Sequence, residues 1–271
     1  MGLFGRLKRG LALTKDSIVV LRHNPGLMTF PLVAGASGLV FLALLLGSAY
    51  GMLDTIEQNR EVGYAFLFVA YLVTTFISSF FTAGLVYETR QAFDGKPTDF
   101  RRGLNAAWKV KGKLLVWSLI AATIGVVIKA IESSDSRIAR IFAWIFSAAW
   151  SILTFFVVPV AVLEPDEGIV SMFKTSGGTF RETWGETAIG MIGPGLIAFL
   201  VFAVGAAGAF GLFTVTGSPI AAAVVAGVFL IVAVLLSASI KGIIKTSLYV
   251  YATEGKRPSE FGDADFQSLN S

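Results

Sequence analysis

Positions 187–240, between Glu186 and Lys241, form a run of 54 residues without one charged side chain. A helix needs about 20 apolar residues to cross the hydrocarbon core of a bilayer, so this run is long enough for two crossings and the turn between them. "TVTGSP" (Thr214 to Pro219) is that turn, because Gly-Ser-Pro stops one helix and opens another. A helix of a soluble domain would show a polar face somewhere along such a length, and none is present. The run reads as a pair of membrane spans.

The same criterion finds four more. The predicted spans are about Leu27–Leu53, Val62–Tyr87, Leu114–Ile131, Ile138–Leu163, Ala188–Phe213 and Pro219–Ile240. In the third, only fifteen residues separate Lys113 from Lys129, so Lys129 must reach out to the interface. Composition agrees, with 15% charged residues against about 25% in an average globular domain. The absence of cysteine excludes disulfides, thiolate catalysis and Cys-ligated metals. A single histidine, His23, cannot form a His-rich site and reads as an interfacial cap. Glu164, Asp166 and Glu167 gather where a helix opens, a position its dipole favours for carboxylates. No catalytic set, metal site or cofactor is expected, and the chain is read as a non-enzyme.

Orientation follows from where Lys and Arg lie. With six spans both ends share a compartment, and that side holds 18 of the 22 Lys and Arg residues. The other side keeps Arg60, Lys129, Arg137 and Arg140. The expected placement is multi-pass in the cytoplasmic membrane with both termini cytoplasmic. The N-terminal "MGLFGRLKRG" interleaves basic with apolar residues, unlike a signal peptide, and Arg6 stands where a myristoylation motif has Ser or Thr. It reads as a retained, unlipidated segment.

A turn is written twice: "AFDGKPTDF" (Ala92 to Phe100) and "ATEGKRPSEF" (Ala252 to Phe261). Each follows an even-numbered span, with Tyr87 or Tyr249 and Tyr251 at headgroup level, Gly to stop the helix and Pro to prevent its resumption. The fourth span ends in a variant, "VVPVAVLEPDEG". Lead-in stripes of helical period precede the odd spans. They run through Leu3, Leu7, Leu11, Ile18 and Leu21; through Phe100, Leu104, Trp108 and Leu115; and through Ile169, Phe173, Phe180 and Trp184. Such helices lie in the membrane interface or extend the spans into the cytoplasm. The predicted fold class is an all-α integral membrane protein: six transmembrane helices in three two-span repeats, each entered by an amphipathic interfacial helix. The repeats cover about 1–95, 96–165 and 166–261 of one membrane domain, and 262–271 form a short polar tail.

"RLKRGLALTKDSIVVLRHNPGLMTFPL", "VVPVAVLEPDEGIVSMFKTSGGTFRETWGE" and "TSLYVYATEGKRP" resemble a prokaryotic family of six-span membrane proteins of unknown function. More distantly they are similar to the membrane domain of glycerophosphodiester phosphodiesterases. The resemblance covers nearly the whole chain and implies topology alone. The catalytic domain of those enzymes, rich in His and metal-binding acids, has no counterpart in these residues.

Two groups of side chains are candidates for function. Arg101, Arg102, Lys109, Lys111 and Lys113 form a basic collar, with Lys241 and Lys245 one turn apart at the exit of the last span. Near an anionic leaflet each contributes about 1 kcal/mol of attraction, so these seven are the candidate anionic-lipid contacts. The second is a hydroxyl-rich stripe of the second span, Thr75, Ser79 and Thr82, which lines a polar pathway or packs between helices. The functional expectation is a lipid-associated scaffold or accessory subunit, the alternative a small-solute channel or transporter. Expected partners are membrane lipids and a cytoplasmic or membrane protein, with no nucleic acid.

Overall fold

The computed structural model describes residues 3–134, 136–183, 192–255 and 261, without the side chains of 3–10 and Glu57. Among the described residues all regular structure is helical. In chain order the α-helices are α1 (Leu3–His23), α2 (Thr29–Tyr50), α3 (Leu53–Gln58), α4 (Arg60–Phe93), α5 (Phe100–Lys109), α6 (Lys111–Glu132), α7 (Arg137–Leu153), α8 (Val157–Leu163), α9 (Ile169–Glu182), α10 (Ile192–Thr216) and α11 (Pro219–Glu254). A 3-10 turn, Pro25–Met28, leads into α2. Among the described residues six stretches are long and apolar enough to cross a membrane: Pro25–Tyr50, Arg60–Phe93, Lys111–Glu132, Arg137–Leu163, Ile192–Thr216 and Pro219–Glu254. They coincide with the six predicted spans. The last runs fourteen residues beyond the predicted end at Ile240, because Ile243, Ile244, Leu248, Tyr249 and Val250 there are buried by protein.

The fourth span is broken, which hydropathy alone did not show. Helix α7 stops at Leu153 and α8 starts at Val157. Pro159 is the cause: it has no N–H to donate and its ring crowds the carbonyl four residues back, that of Phe155. The interrupted backbone is repaired from another helix, where the N–H of Phe156 donates to Ser176 Oγ at 3.0 Å inside the protein.

The chain forms two compact units. The first contains residues 1–31, 88–98 and 182–271. In it α10 and α11 pair as a hairpin whose turn has the predicted chemistry. Gly217 takes a left-handed φ of 64°, and Ser218 caps α11 by accepting from the Ala221 N–H at 3.3 Å. At the crossing, a Cβ on Gly205 would lie 2.1 Å from Phe229 Cβ, so only glycine permits the approach. Helix α1 packs on this hairpin with Thr14 against Gly193. Its buried face is Leu13, Thr14, Ser17, Val20 and Leu21. This differs from the predicted stripe, in which Leu11 and Ile18 remain 43% and 39% exposed; Leu3 and Leu7 lie outside the described side chains. Ser17 can face inward because its hydroxyl donates to the Leu13 carbonyl at 2.7 Å and leaves no unsatisfied group.

Both acidic-Gly turns belong to this unit. Gly95 has φ 73° and closes α4 with two bonds, Gly95 N–H to Ala92 O at 2.9 Å and Lys96 N–H to Gln91 O at 3.1 Å. Gly255 has φ 63° and closes α11 by one, to Tyr251 O at 2.9 Å. These are the left-handed helix caps that glycine adopts at no steric cost. Lys256–Glu260 of the second turn lie outside the described residues, as do Trp184, Glu186 and the 262–271 tail. The variant after the fourth span is built differently. Gly168 has no positive φ, and Lys113 Nζ instead donates to the carbonyls of Pro165, at 2.6 Å, and Glu167.

The second unit contains residues 32–87 and 99–181. Its centre is aromatic. Trp117 of α6, Trp150 of α7 and Phe173 of α9 meet pairwise with ring centroids 5.9–6.0 Å apart. The predicted α9 stripe is thus partly turned: Phe173 and Ile169 are half-buried, while Met172, Ser176, Thr179 and Phe180 form the buried face. On α5 the packed residues are the small Gly103 and Ala107, whereas Trp108 of the predicted stripe is 60% exposed.

Candidate functional site

Helix α5 is short, and its orientation is set by its capped start and its buried edge. Asp99 caps its start, Oδ1 accepting from the N–H groups of Arg101 at 2.8 Å and Arg102 at 3.2 Å. Gly103 and Ala107, one turn apart, form its buried edge. Two rows of side chains then follow its outer side at a spacing of four residues: exposed Arg101, Asn105 and Lys109, and beside them half-buried Arg102 and Ala106, with Val110 buried just past the helix end.

These rows form one side of a cleft of about 440 Å³, completed by Tyr87 of α4, Val162 of α8, Pro165 and Asp99. The volume lies within the range of about 300–1,000 Å³ typical of small-molecule sites. Three cations and one carboxylate line it, and the carboxylate is committed to the cap. Arg101 and Lys109 form no ion pair among the described residues. Tyr87, Val162 and Pro165 from outside α5, with Ala106 and Val110 beside the charged row, make much of the rest of the lining apolar. Such an arrangement suits an anion attached to an apolar body.

The predicted collar divides by role. Arg101, Arg102 and Lys109 line the cleft. Lys111 lies over the Trp108 ring, 3.7 Å from its centroid, a cation–π contact. Trp108 also meets Phe80 edge-on at 6.3 Å, and the rest of its ring stays open. Lys113 is spent on the carbonyls of the loop after α8 and does not line the cleft. Glu167 of the acidic cluster accepts from the Thr175 hydroxyl at 3.1 and 3.2 Å, a bond that holds the start of α9. Lys241 and Lys245 lie on α11 in the first unit, the former exposed and the latter half-buried.

The hydroxyl stripe is not gathered into this cleft. Ser79 is 5% exposed and accepts a 3.0 Å hydrogen bond from Trp117 Nε1. Thr75 and Thr82 are half-buried on the same helix.

Sequence reasoning placed Asn105 on the polar side of α5 but missed it as a partner of the cations. The spacing Arg101, Asn105, Lys109 was the available signal. Val162 and Pro165 carried none, since only the packing of α8 brings them to α5.

The described chain is all-helical, with six stretches of membrane-spanning length and apolarity and a cationic cleft beside one short helix. It belongs to DUF6159, a family of unknown function, whose family model matches residues 61–259. None of the curated proteins and none of the solved structures matches the chain.

Proposed function

We propose that this is a multi-pass protein of the prokaryotic cytoplasmic membrane, both termini inside, that acts as a lipid-associated scaffold or accessory subunit. The observation that carries the reading is the α5 surface. Arg101, Asn105 and Lys109 stand in a row next to Trp108, which is 60% exposed and covered by Lys111. An indole with one open face and a cation above it matches the headgroup layer, where Trp is enriched. Lys and Arg at that depth attract anionic lipid. The likeness to the membrane domain of glycerophosphodiester phosphodiesterases fits the same picture as a likeness of architecture, with no activity attached. A cytoplasmic or membrane partner protein would meet the chain on this surface.

The test replaces Arg101, Arg102, Lys109, Lys111 and Lys113 by Gln. Thirteen Lys and Arg residues remain on the side of the termini against four opposite, so the insertion bias is retained. Acidic phospholipid that co-purifies with the native protein should fall sharply in the variant. Added salt should produce a similar loss from the native protein, since raising it to about 1 M shortens the Debye length from about 8 Å to about 3 Å. Unchanged lipid content in a folded variant would exclude the lipid-associated reading.

A further inference from the structure

We infer that the α5 cleft is a discrete, single-occupancy site for the phosphate-ester headgroup of one anionic phospholipid. This rests on the lipid-associated reading but goes further: basic collars attract lipid diffusely, whereas this cleft has walls. Arg101 and Lys109 lie two turns apart, about 12 Å along the helix axis, with the Asn105 amide between them. Long side chains converging from the two ends over that amide surround a tetrahedral anion with charge from both sides and neutral hydrogen bonding from below. The Asp99 carboxylate is held at the start of α5 by the backbone N–H groups of Arg101 and Arg102, so that helix terminus is occupied by the protein's own acid. The anion therefore sits along the side of the helix and not at its end. Tyr87, Val110 and Val162 supply the apolar side of the cleft, a surface that a free phosphate ester leaves in water and an acyl glycerol covers. The chemistry recognised is a phosphate ester; the apolar side favours its lipid-borne form over a soluble one.

The experiment separates the walled site from diffuse attraction by changing shape without charge. Ala106→Phe fills the cleft, and Asn105→Leu, at an exposed position, removes only the central amide. Native mass spectrometry of the full chain in zwitterionic detergent is titrated with phosphatidylglycerol, with phosphatidylcholine, and with sn-glycerol 3-phosphate as the soluble ester. One retained phosphatidylglycerol is expected on the native protein, at least about fivefold weaker on both variants, the equivalent of one lost lipid contact. Lys174→Gln, exposed on α9 outside both the cleft and the collar, should bind like the native chain. Native-like binding by folded Ala106→Phe and Asn105→Leu would overturn the site. If the five-Gln variant still lost lipid in that case, diffuse association would stand without the cleft; if it did not, both readings would fall. Should Ala106→Phe fail to fold, Asn105→Leu decides alone. Glycerol phosphate bound as tightly as phosphatidylglycerol would overturn the lipid as the source of the ester.

Discussion

Arg90 grips Glu254 from 164 positions away with two parallel bonds, Nε to Oε1 at 3.1 Å and Nη2 to Oε2 at 2.9 Å. Its remaining nitrogen, Nη1, takes Asp94 at 2.6 Å. Asp94 and Glu254 are the acids that precede Gly95 and Gly255, so one guanidinium ties together the two copies of the repeated turn. Phe93 and Phe261 add an edge-to-face contact at 5.9 Å between the same segments. The rigid guanidinium suits this arrangement: it holds Glu254 with two parallel bonds while a third nitrogen reaches Asp94, a fork that a Lys ammonium lacks. Arg90→Gln and Glu254→Gln should each lower stability, with a coupling of about 1 kcal/mol in the double-mutant cycle. Arg90→Lys should recover less than half. Additive single-site effects in detergent unfolding would show that the bridge contributes nothing.

Glycines in α10 should differ sharply in tolerance. Gly205→Ala places a methyl 2.1 Å from Phe229 Cβ, close to rigid backbone, and must push α10 and α11 apart. Gly208 and Gly211 have nothing within 4 Å. Their alanine variants should be neutral or more stable by about 0.4–1 kcal/mol, as Gly→Ala is in an unobstructed helix. Thermal unfolding in detergent checks the order; equal effects at the three positions would contradict the crossing.

Ser176→Ala removes the acceptor for the buried N–H of Phe156 at the break in the fourth span. An unsatisfied buried donor costs about 1–3 kcal/mol, whereas serine-to-alanine at exposed Ser171 should change stability by less than about 0.5 kcal/mol. Hydrogen exchange at Phe156 should accelerate in the first variant only.

Replacing Thr75, Ser79 and Thr82 together by Ala decides between packing and a polar pathway. The packing reading expects a loss of about 1–3 kcal/mol, chiefly from the stranded Trp117 N–H, with any measured solute flux within a few-fold of native. Abolished flux in a folded variant would favour a channel or transporter.

Because the chain has no cysteine, single-cysteine labelling reports orientation cleanly. Exposed Lys96 and Asp166 should react from the cytoplasmic side, and exposed Gln58 and Glu132 from outside. Reaction of Asp166 from outside would invert the proposed topology.

What the sequence determined by itself was whatever depends on local chemistry. The six spans follow from apolar length, the α10–α11 turn from Gly-Ser-Pro, and the helix ends at Gly95 and Gly255 from backbone conformations that glycine tolerates. Tertiary structure decided which side of each helix does what. In a span apolar all round, every face transfers into lipid at similar free energy, so periodicity does not mark the packed face; close approach of small residues such as Gly205 and Gly193 does. On α1 the reason differs: Thr14 and Ser17 read as polar but turn inward, Ser17 because its hydroxyl is satisfied by the Leu13 carbonyl within its own turn. The partner of Arg90, the serine that repairs the fourth span, and the meeting of Val162 and Pro165 with α5 each join residues far apart in the chain. Only the apposition of particular helix faces brings those groups within bonding distance.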